Sequence, residues 1–393
     1  MMIRSLIEND VYKWNISYFY MMTYPFAEIE FEFVDRKKEE FDQDFVDEFK
    51  REFAALSGLT IKPGEKEFLI SNFRWIPKYF FDWFCSSFRY RPDIIKAWLD
   101  EDHHFHVTFQ GLAYEVTFYE MPVLVIFTGL RARYKGYDKQ LNMKDVIDRA
   151  REQIDLSNAK GLSFSEFGLR RRFSGVVQDT VDDWIKKEAK YCVGNSNVYE
   201  AFRLDQKISG TIAHECSMVT NAFKGYRLGN YFLVEDWMKV FKGEVGIMLP
   251  DTIGIDAFLN NMSMLQAKAM DGVRHDSGRW ETFTTKFIER WKELKVDPLS
   301  KTIVYSDGLD MFKFEDIYNN VRGRVGKVGS GIGGAFTNNT GIEGAKVECV
   351  CKARKVRINK TSSWINCVKC PDTDGKFMGD PSEVELCLKT VGR

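Results

Sequence analysis

The chain has 393 residues, of which 44% are hydrophobic and 15% aromatic, and its 56 Lys and Arg residues are balanced by 57 Asp and Glu residues. This length exceeds one average domain and predicts two domains, or one large barrel with an appended module. A net charge of −1 excludes a protein that coats polyanions, because nonspecific nucleic-acid binding needs a surplus of basic residues on one face. The sequence holds no apolar run of about eighteen residues, so it predicts no membrane span.

Two further features of the sequence concern location and thiol chemistry. The N-terminal segment MMIRSLIENDVYKW lacks an apolar signal core, so we expect a cytoplasmic protein. The eight cysteines are expected to be reduced thiols, as is usual in a long chain without a secretion signal. Four of them form a CVC…CVKC pattern, but only its second half has good zinc-ligand spacing, so we favour thiols over a metal site. These four are Cys349, Cys351, Cys367 and Cys370.

Residues 1–127 predict an N-terminal α+β module. The stretch IEFEFV at residues 29–34 alternates apolar and polar side chains, which is typical of a half-buried strand. Phenylalanines recur at every fourth position from residue 41 to residue 53, so they predict the buried face of an amphipathic helix. Two further alternating runs, at residues 105–110 and 114–119, flank Gly111 and predict a β-hairpin.

Between residues 128 and 340, helical patterns alternate with short apolar runs that end in glycine and polar residues. This order, with short connections, implies parallel strands joined by crossover helices. About seven such units in roughly 200 residues suit a closed α/β barrel better than an open sheet. The runs predicted as strands cover residues 163–168, 191–195, 207–210, 245–251, 272–278, 302–308 and 324–334. The predicted helices include residues 176–190, 212–224, 237–242, 252–266, 280–294 and 311–321.

The tail of the chain, residues 341–393, predicts strands and a final helix. We expect it to pack back on the N-terminal module, so that the barrel occupies residues 128–340 and a second domain is built from both ends of the sequence.

Functional residues in a parallel barrel gather where strands end and loops lead into helices. The sequence GTIAHE ends one strand and begins a helix, with Thr211 as the expected N-cap and Glu215 supporting the first turn. His214 then lies among unpaired backbone N–H groups, whose partial positive charge favours a bound or covalently attached phosphate. The alternative interpretation is a histidine that is satisfied by a nearby carbonyl.

Aspartates mark three other strand ends. Asp251, Asp276 and Asp307 each lie beside Gly, Ser or Thr, where sugar hydroxyls or a Mg²⁺ ion on a diphosphate would find oxygen ligands. Ser277 and Gly308 belong to the same motifs, and we include them among the substrate-binding residues.

Arginines and glycines are the candidate binding residues at the remaining strand ends. Residues 170–172 supply three guanidinium groups suited to pyrophosphate or carboxylate. The segment GSGIGG at residues 329–334 is a candidate phosphate cradle, although it is not a Walker A loop because no Gly-Lys-Ser/Thr follows. Phosphate cradles, arginines, carboxylates and one histidine together fit a phosphorylated sugar with a diphosphate leaving group.

Several of these motifs, in this order, resemble those of nicotinate phosphoribosyltransferases of the bacterial and yeast type. NDVYKW is similar to the family's TD-x-YK, FGLRRRFS to FGTRRRFS, VGNSNV to VGTSN, and GTIAHE to GT-x-AHEW. RHDSG, SDGLD and MGD match as well, so the resemblance covers nearly the whole chain. It implies an irregular α/β barrel with a second α+β domain formed by the N-terminal and C-terminal segments.

The resemblance also implies an activity. Family members make nicotinate mononucleotide and pyrophosphate from nicotinate and phosphoribosyl pyrophosphate (PRPP), a step of NAD biosynthesis and salvage, with ATP as a co-substrate. It implies that His214 is transiently phosphorylated by ATP, that Phe167 stacks on the pyridine ring, and that Tyr12 reaches this ring from the partner subunit of a homodimer. Arg170 and Arg274 would hold carboxylate or phosphate groups.

The remaining implied roles concern the sugar, its phosphate and the metal. Asp276 and Asp307 would contact the ribose and Mg²⁺, and Gly331, Gly333 and Gly334 would hold the 5′-phosphate.

Two alternatives to a nicotinate enzyme remain open from the sequence. One is a nicotinamide phosphoribosyltransferase that uses the same barrel site. The other is not an enzyme but a barrel that has kept a phosphate site and serves as a ligand-binding protein. The basic residues near the FG and HDSG motifs favour an acidic base as substrate, although they also suit PRPP.

Overall fold

A computed structural model describes residues 2–373 and 375–393 of the chain. The N-terminal part contains three strands and the first seven helices, and the C-terminal part adds two strands and the last helix. The strands are β1 (Glu28–Asp35), β2 (Ile95–Leu99) and β3 (Phe105–Leu112). The helices are α1 (Val11–Thr23), α2 (Gln43–Ala54), α3 (Glu65–Asn72), α4 (Lys78–Ser87), α5 (Ala113–Val116), α6 (Glu120–Tyr134) and α7 (Met143–Lys160).

The middle of the chain alternates strands and helices. Its strands are β4 (Phe164–Glu166), β5 (Cys192–Asn195), β6 (Ile247–Met248), β7 (Gly272–His275), β8 (Thr302–Tyr305) and β9 (Lys327–Ile332). Its helices are α8 (Gly175–Glu188), α9 (Val198–Arg203), α10 (His214–Lys224), α11 (Gly229–Phe241), α12 (Ile255–Asn261), α13 (Met264–Ala269), α14 (Trp280–Glu293), α15 (Met311–Val321) and α16 (Gly334–Thr337). The C-terminal elements are β10 (Cys349–Arg357), β11 (Ile365–Asn366) and α17 (Pro381–Val391).

The six middle strands form a parallel sheet in the order β5-β4-β9-β8-β7-β6. A parallel bridge between Asn195 and Ile208 extends the sheet beyond β5, so each of the runs predicted as strands contributes to this sheet. The first strand, β4, pairs with the last, β9, as a barrel requires. In the described part of the chain, no ladder joins the Ile208 edge to β6. The prediction of a parallel α/β fold is confirmed.

A five-stranded antiparallel sheet joins the two ends of the chain, in the order β11-β10-β1-β3-β2. Strand β10 pairs with β1 along its whole length, and β1 alternates as predicted, with Phe31 and Phe33 buried. The second α+β domain expected from the resemblance is therefore present. The exact domain boundaries at residues 127 and 340 stay a prediction.

Local signals explain both the successes and the failures of the predicted elements. Helix α2 begins where Asp42 accepts a hydrogen bond from the Phe45 N–H at 3.0 Å, and its phenylalanine face is buried as predicted. The prediction of one continuous helix over residues 252–266 is wrong, because the structure has two helices there. Met262 is extended, and Ser263 forms a capping box with Gln266 that begins α13 as a separate helix.

The β-hairpin predicted around Gly111 is wrong. β3 pairs with β1 and β2, and the chain after Leu112 turns into α5, a short 3₁₀ turn and α6. Residues 116–128 are buried, so the segment has no exposed polar face. The spacing of its apolar residues therefore did not distinguish a strand from a helix.

A short strap crosses the strand ends of the parallel sheet from the C-terminal side. We define the C-terminal strap as residues 367–373. Its Cys370 N–H donates to the Thr252 carbonyl at 2.7 Å, Asp372 accepts from the Ile255 N–H at 2.9 Å, and Thr373 accepts from the Gly278 N–H at 3.0 Å. The strap therefore fixes the C-terminal segment against the loops that follow β6 and β7.

No helix within residues 2–373 and 375–393 has both the length and the apolar character needed to traverse a bilayer.

Phe127 on α6 contacts four other aromatic rings, those of Phe33, Phe41, Phe45 and Phe105. We expect Phe127→Ala to lower the free energy of unfolding by about 3–5 kcal/mol, because it opens a cavity in a fully buried cluster. Urea denaturation followed by tryptophan fluorescence measures this change. Phe312→Ala, at a position that is 55% exposed, should change the midpoint little. Equal effects of the two substitutions would contradict the prediction.

Candidate active site

A buried histidine lies at the centre of the strand ends. His214 is the first residue of α10, and its Nε2 lies 3.0 Å from Oδ1 of Asp251, which follows β6. The other oxygen of Asp251 accepts a hydrogen bond from Ser277 Oγ at 2.5 Å. All three side chains are buried, and Asp251 is wholly so. Asp251 therefore holds His214, and Ser277 holds Asp251, whereas the substrate contacts predicted for these two residues stay a prediction.

The cap of α10 differs from the prediction. The N-cap residue is Ala213, whose side chain cannot accept a hydrogen bond, while the Thr211 hydroxyl accepts one from an Arg274 NH group at 2.7 Å. Glu215 does not support the first turn either, because its carboxylate binds Lys13 at 2.5 Å. The backbone N–H groups at the start of α10 thus lack a side-chain cap.

Burial sets the charge state of the histidine. It lowers the pKa of His214 to about 4, helped by the positive charge of Lys369 and opposed by Asp251. Burial alone would raise the pKa of Asp251, but His214, Lys369 and the Ser277 hydroxyl together hold it well below its usual range. At neutral pH the pair therefore consists of a neutral imidazole and an ionised carboxylate.

Two further aspartates, Asp276 and Asp307, lie at the neighbouring strand ends, and Asp276 approaches the same ring nitrogen of His214 as Asp251. Asp276 Oδ2 lies 3.7 Å from His214 Nε2, and its other oxygen accepts a hydrogen bond from Ser306 at 2.9 Å. Although burial opposes ionisation, Arg274 and His214 lower the pKa of Asp276. Burial raises the pKa of Asp307, with nearby Asp276 adding to this effect and Lys376 opposing it. The two partly exposed carboxylates thus lie close together at the strand ends.

The three consecutive arginines, residues 170–172, differ in their contacts. Arg172 is buried and donates to Glu8 at 2.5 Å and to Gln178 at 2.9 Å. Arg171 donates to the Cys349 carbonyl at 2.9 Å, and burial together with its neighbour Arg170 lowers its pKa to about 10. Arg170 makes no hydrogen bond to any residue that the structure describes. Of the three, it is the one available to a ligand.

Arg274 is the second arginine with unused capacity. One NH group donates to Thr211, but its buried Nε has no hydrogen-bond partner in the described chain. An unpartnered buried donor of a guanidinium group is costly, so a ligand oxygen would satisfy it.

The glycine-rich turn after β9 packs against the loop that carries Phe167. A Cβ atom on Gly331 would lie 2.3 Å from the Phe167 ring, so Gly331 makes room for this ring and is buried beneath it. Gly333 and Gly334 are more open and begin α16, where the first backbone N–H groups have no helical acceptor. Gly308, at a φ of +59°, forms the exposed turn after β8. Gly331 therefore packs against Phe167, whereas Gly333 and Gly334 are partly or fully exposed, and the phosphate contacts of all three stay a prediction.

Tyr12 lies at the site of its own chain. It interacts electrostatically with Arg170, and its backbone nitrogen is 3.6 Å from where a Cβ atom on Gly210 would stand. The start of α1 is docked there, because the Val11 N–H donates to the Ser196 carbonyl at 2.8 Å. The expectation that Tyr12 reaches the pyridine ring of a partner subunit stays a prediction.

Two lysines of the C-terminal segment were missed from the sequence. Lys369 on the strap is buried and interacts electrostatically with His214, Asp251 and Asp276. Burial, followed by the charge of Lys369, lowers the pKa of Lys352 on β10 to about 7. Neither ammonium group forms an ion pair or hydrogen bond with the described residues. The sequence signal for Lys369 is its place in the CVKC motif, whose cysteines suggest a zinc site and not a basic residue of the active site.

The four tail cysteines pack in different places. Cys349, Cys351 and Cys367 belong to the main core, whereas Cys370 lies in a small cluster with Cys387 of α17. Within the described residues, one group of three or more potential metal ligands converges to within 4.8 Å, and it consists of His214, Asp251 and Asp276.

Comparison with known proteins agrees with the sequence motifs. A sequence profile of the nicotinate phosphoribosyltransferase (NAPRTase) family matches residues 162–384, and one of its N-terminal domain matches residues 7–128. Nicotinate phosphoribosyltransferase of Desulforapulum autotrophicum is 33% identical and covers 100% of both chains. That of Chromohalobacter salexigens is 31% identical over 99% of this chain and 98% of its own.

Solved structures agree as well. A crystal structure of nicotinate phosphoribosyltransferase from Porphyromonas gingivalis covers 100% of both chains with a TM-score of 0.97 and 35% identity. One from Vibrio cholerae covers 100% of this chain and 94% of its own, with a TM-score of 0.91 and 27% identity. The motifs, the fold and the two profiles lead to the same conclusion: the chain belongs to the nicotinate phosphoribosyltransferase family.

Proposed function

We propose that the chain transfers the phosphoribosyl group of PRPP to nicotinate, forming nicotinate mononucleotide and pyrophosphate, and that ATP hydrolysis drives this transfer through a phosphohistidine at His214. One observation carries the proposal: a neutral, buried His214 is held by an ionised Asp251 beside cationic groups that lack protein partners. Those groups are Arg170, Lys352 and Lys369. Cationic groups that gather in a largely buried site and form no ion pair there favour a polyanionic ligand.

The tautomer of His214 follows from its contact with Asp251. An ionised carboxylate only accepts hydrogen bonds, so Nε2 carries the proton and Nδ1 carries the lone pair. In the proposed first step, Nδ1 attacks the γ-phosphorus of ATP, an N–P bond forms, the P–O bond to ADP breaks, and ADP leaves. Water later attacks the phosphorus, the N–P bond breaks, and inorganic phosphate leaves, so that the imidazole is regenerated and the net reaction hydrolyses ATP. Asp251 stabilises the positive charge that develops on the ring, as the orienting group of an activated nucleophile does.

The phosphoribosyl transfer itself needs charge stabilisation. The bond between the anomeric carbon and pyrophosphate breaks, the bond to the nicotinate ring nitrogen forms, and negative charge gathers on the departing diphosphate. Arg170 and Lys369 are positioned to meet that charge, and an environment poor in water strengthens their effect. The open N–H groups of Gly333 and Gly334 suit the 5′-phosphate.

Mg²⁺ fits the carboxylate pair at the open side of the site. Asp276 and Asp307 supply the hard oxygen ligands that Mg²⁺ prefers, and the raised pKa of Asp307 beside Asp276 indicates a place where a cation is favourable. When bound there, Mg²⁺ would neutralise charge on the diphosphate of PRPP.

Phe167 and Tyr12 suit the pyridine ring, and Arg274 or Arg170 suits its carboxylate, since a guanidinium group binds carboxylate through two parallel hydrogen bonds. We also propose a homodimer as the assembly, on the strength of the resemblance. In such a dimer, Tyr12 of one subunit would complete the base site of the other, as the resemblance implies.

We expect His214→Ala to abolish the stimulation of nicotinate mononucleotide formation by ATP while leaving slow, ATP-independent turnover, because the phosphate acceptor is lost and the PRPP contacts remain. Pyrophosphate release from PRPP and nicotinate, measured with and without ATP, tests this. His104→Ala, on the other sheet, is the control. Product from nicotinamide alone, or unchanged ATP stimulation in His214→Ala, would refute the proposal.

Asp251→Asn should reduce phosphorylation of His214 by ATP by about a hundredfold, because an amide can donate to Nε2 and so move the ring proton to Nδ1. Transfer of labelled γ-phosphate from ATP to the protein gives the rate. Asp256→Asn, at an exposed position on α12, is the matched control and should label normally. Similar labelling rates in the two variants would remove Asp251 from the proposed role.

The pH dependence of labelling should reflect the lowered pKa of His214. With a pKa of about 4, the ring stays almost wholly neutral down to about pH 5, so labelling should persist well below the usual histidine range. Because Lys369 lowers this pKa, Lys369→Met should raise it and move the acid limb toward higher pH. The same variant should raise the KM for PRPP by about tenfold or more. Lys389→Met, exposed on α17, is the control, and an unmoved acid limb in Lys369→Met would contradict the assignment.

A further inference from the structure

Two cysteines of the C-terminal segment form a buried pair. Cys370 lies on the C-terminal strap and Cys387 lies on α17, and both thiols are wholly buried in one small apolar cluster. Each thiol is the hydrogen-bond partner of the other. The spacing of the CVKC motif would pair Cys370 with Cys367, but Cys367 belongs to the main core. The fold therefore pairs Cys370 with a thiol that lies outside its sequence motif.

Contacts on both sides of Cys370 hold the strap against the segment that contains α17. Lys369 exchanges two backbone hydrogen bonds with Met378, both at 2.9 Å. The Arg393 side chain donates to the Cys370 carbonyl at 2.5 Å and to the Pro371 carbonyl at 2.9 Å. The neighbouring contacts thus fix the position of one thiol relative to the other.

The two thiols differ in their electrostatic surroundings. The hydrogen bond from Cys387 lowers the pKa of Cys370 against the effect of burial, and the positive charge of Arg393 adds to this lowering. The hydrogen bond with Cys370, together with burial, raises the pKa of Cys387. Because the thiolate is the nucleophile, Cys370 is the thiol that reacts first with an oxidant, and Cys387 is placed to resolve the product.

Helix α17 is the weakly held side of this pair. Of the residues of α17, all of which the structure describes, Cys387 alone is buried. A cavity of about 400 Å³ that is lined in part by Glu383, Leu386 and Thr390 lies against the helix. A helix with so few buried side chains opens locally at a low cost in free energy. Such openings would admit a small oxidant to both thiols.

We propose that Cys370 and Cys387 form a reversible disulfide when a hydroperoxide such as H₂O₂ oxidises them, and that this bond locks α17 onto the C-terminal strap. In a reducing compartment the pair rests as two thiols, and a disulfide there is a transient, redox-sensing state. Lys369 directly precedes Cys370 and interacts electrostatically with His214. The lock would therefore hold a cation of the active site in place under oxidising conditions.

The oxidation takes two steps. The Cys370 thiolate attacks one oxygen of H₂O₂, the O–O bond breaks, and the departing hydroxide takes up a proton and leaves as water, so that Cys370 becomes a sulfenic acid. The Cys387 sulfur then attacks the Cys370 sulfur, an S–S bond forms, the S–O bond breaks, and the thiol proton of Cys387 leaves with the hydroxide as a second water. The two thiols lose two electrons and two protons, and one H₂O₂ is reduced to two waters.

Peptide mapping of the whole protein tests the bond. After treatment with H₂O₂, acid quenching and alkylation of the remaining thiols, trypsin separates Cys367, Cys370 and Cys387 into the peptides 361–369, 370–376 and 377–389. We expect peptides 370–376 and 377–389 to be joined, and dithiothreitol to release them. Cys387→Ser should leave a sulfenic acid on Cys370 that dimedone traps. Cys85→Ser, at a half-buried position on α4, is the control and should still form the link.

Hydrogen exchange tests the lock. We expect the backbone amides of α17 to exchange about tenfold more slowly, or slower still, in the oxidised protein, because the link removes the local opening of the helix. Exchange in α2 of the antiparallel-sheet domain should stay unchanged. Reduction with dithiothreitol should restore the original rate in α17.

The wild-type map decides the proposal even if a variant fails to fold. The absence of a link between Cys370 and Cys387, or a link from Cys370 to Cys367 in its place, would refute the disulfide. A link that forms without slower exchange in α17 would refute the lock. None of these measurements involves turnover of PRPP, so they test the disulfide independently of the proposed function.

Discussion

The buried contact between His214 and Asp251 constrains everything around it. A neutral imidazole with an ionised partner can exist away from water only if the carboxylate is compensated, and here Ser277 and Lys369 supply that compensation. Lys369 comes from the C-terminal strap, so the strap must cross the ends of β6 and β7. The strap directly follows β11, which pairs with β10 at the edge of the antiparallel sheet. One charge pair thus depends on both sheets.

The sequence was sufficient for the parallel sheet and for the residues at its strand ends. Strand ends in a parallel fold share one edge, so order and spacing alone bring His214, Asp276 and Arg170 together. What a residue does at that edge was harder to foresee. In the structure, Asp251 binds His214, Ser277 binds Asp251, and Gly331 leaves room for the Phe167 ring, and these contacts were not predicted. The role of such a side chain depends on how deeply it is buried below the strand ends, and burial depends on packing that the sequence alone does not show.

The residues missed from the sequence share one trait: their partners are far away along the chain. Lys369 reaches Asp251 and Asp276, and Lys13 reaches Glu215, across separations that no local pattern records. The mistaken hairpin after β3 has a different cause. The mispredicted run is six residues long and continues into the buried segment at residues 116–128, where apolar periodicity carries no information about which face is inside.

The arrangement of charge suggests why the second domain is part of the catalytic unit. The barrel contributes the carboxylates, His214 and the guanidinium groups of Arg170 and Arg274, whereas Lys352 and Lys369 come from the C-terminal segment. Lys13 on α1 adds no free charge, because Glu120 and Glu215 neutralise it. Fixing the C-terminal segment to the strand edge therefore adds two amino groups beside the carboxylates, and couples the charge balance of the site to the folding of the whole chain.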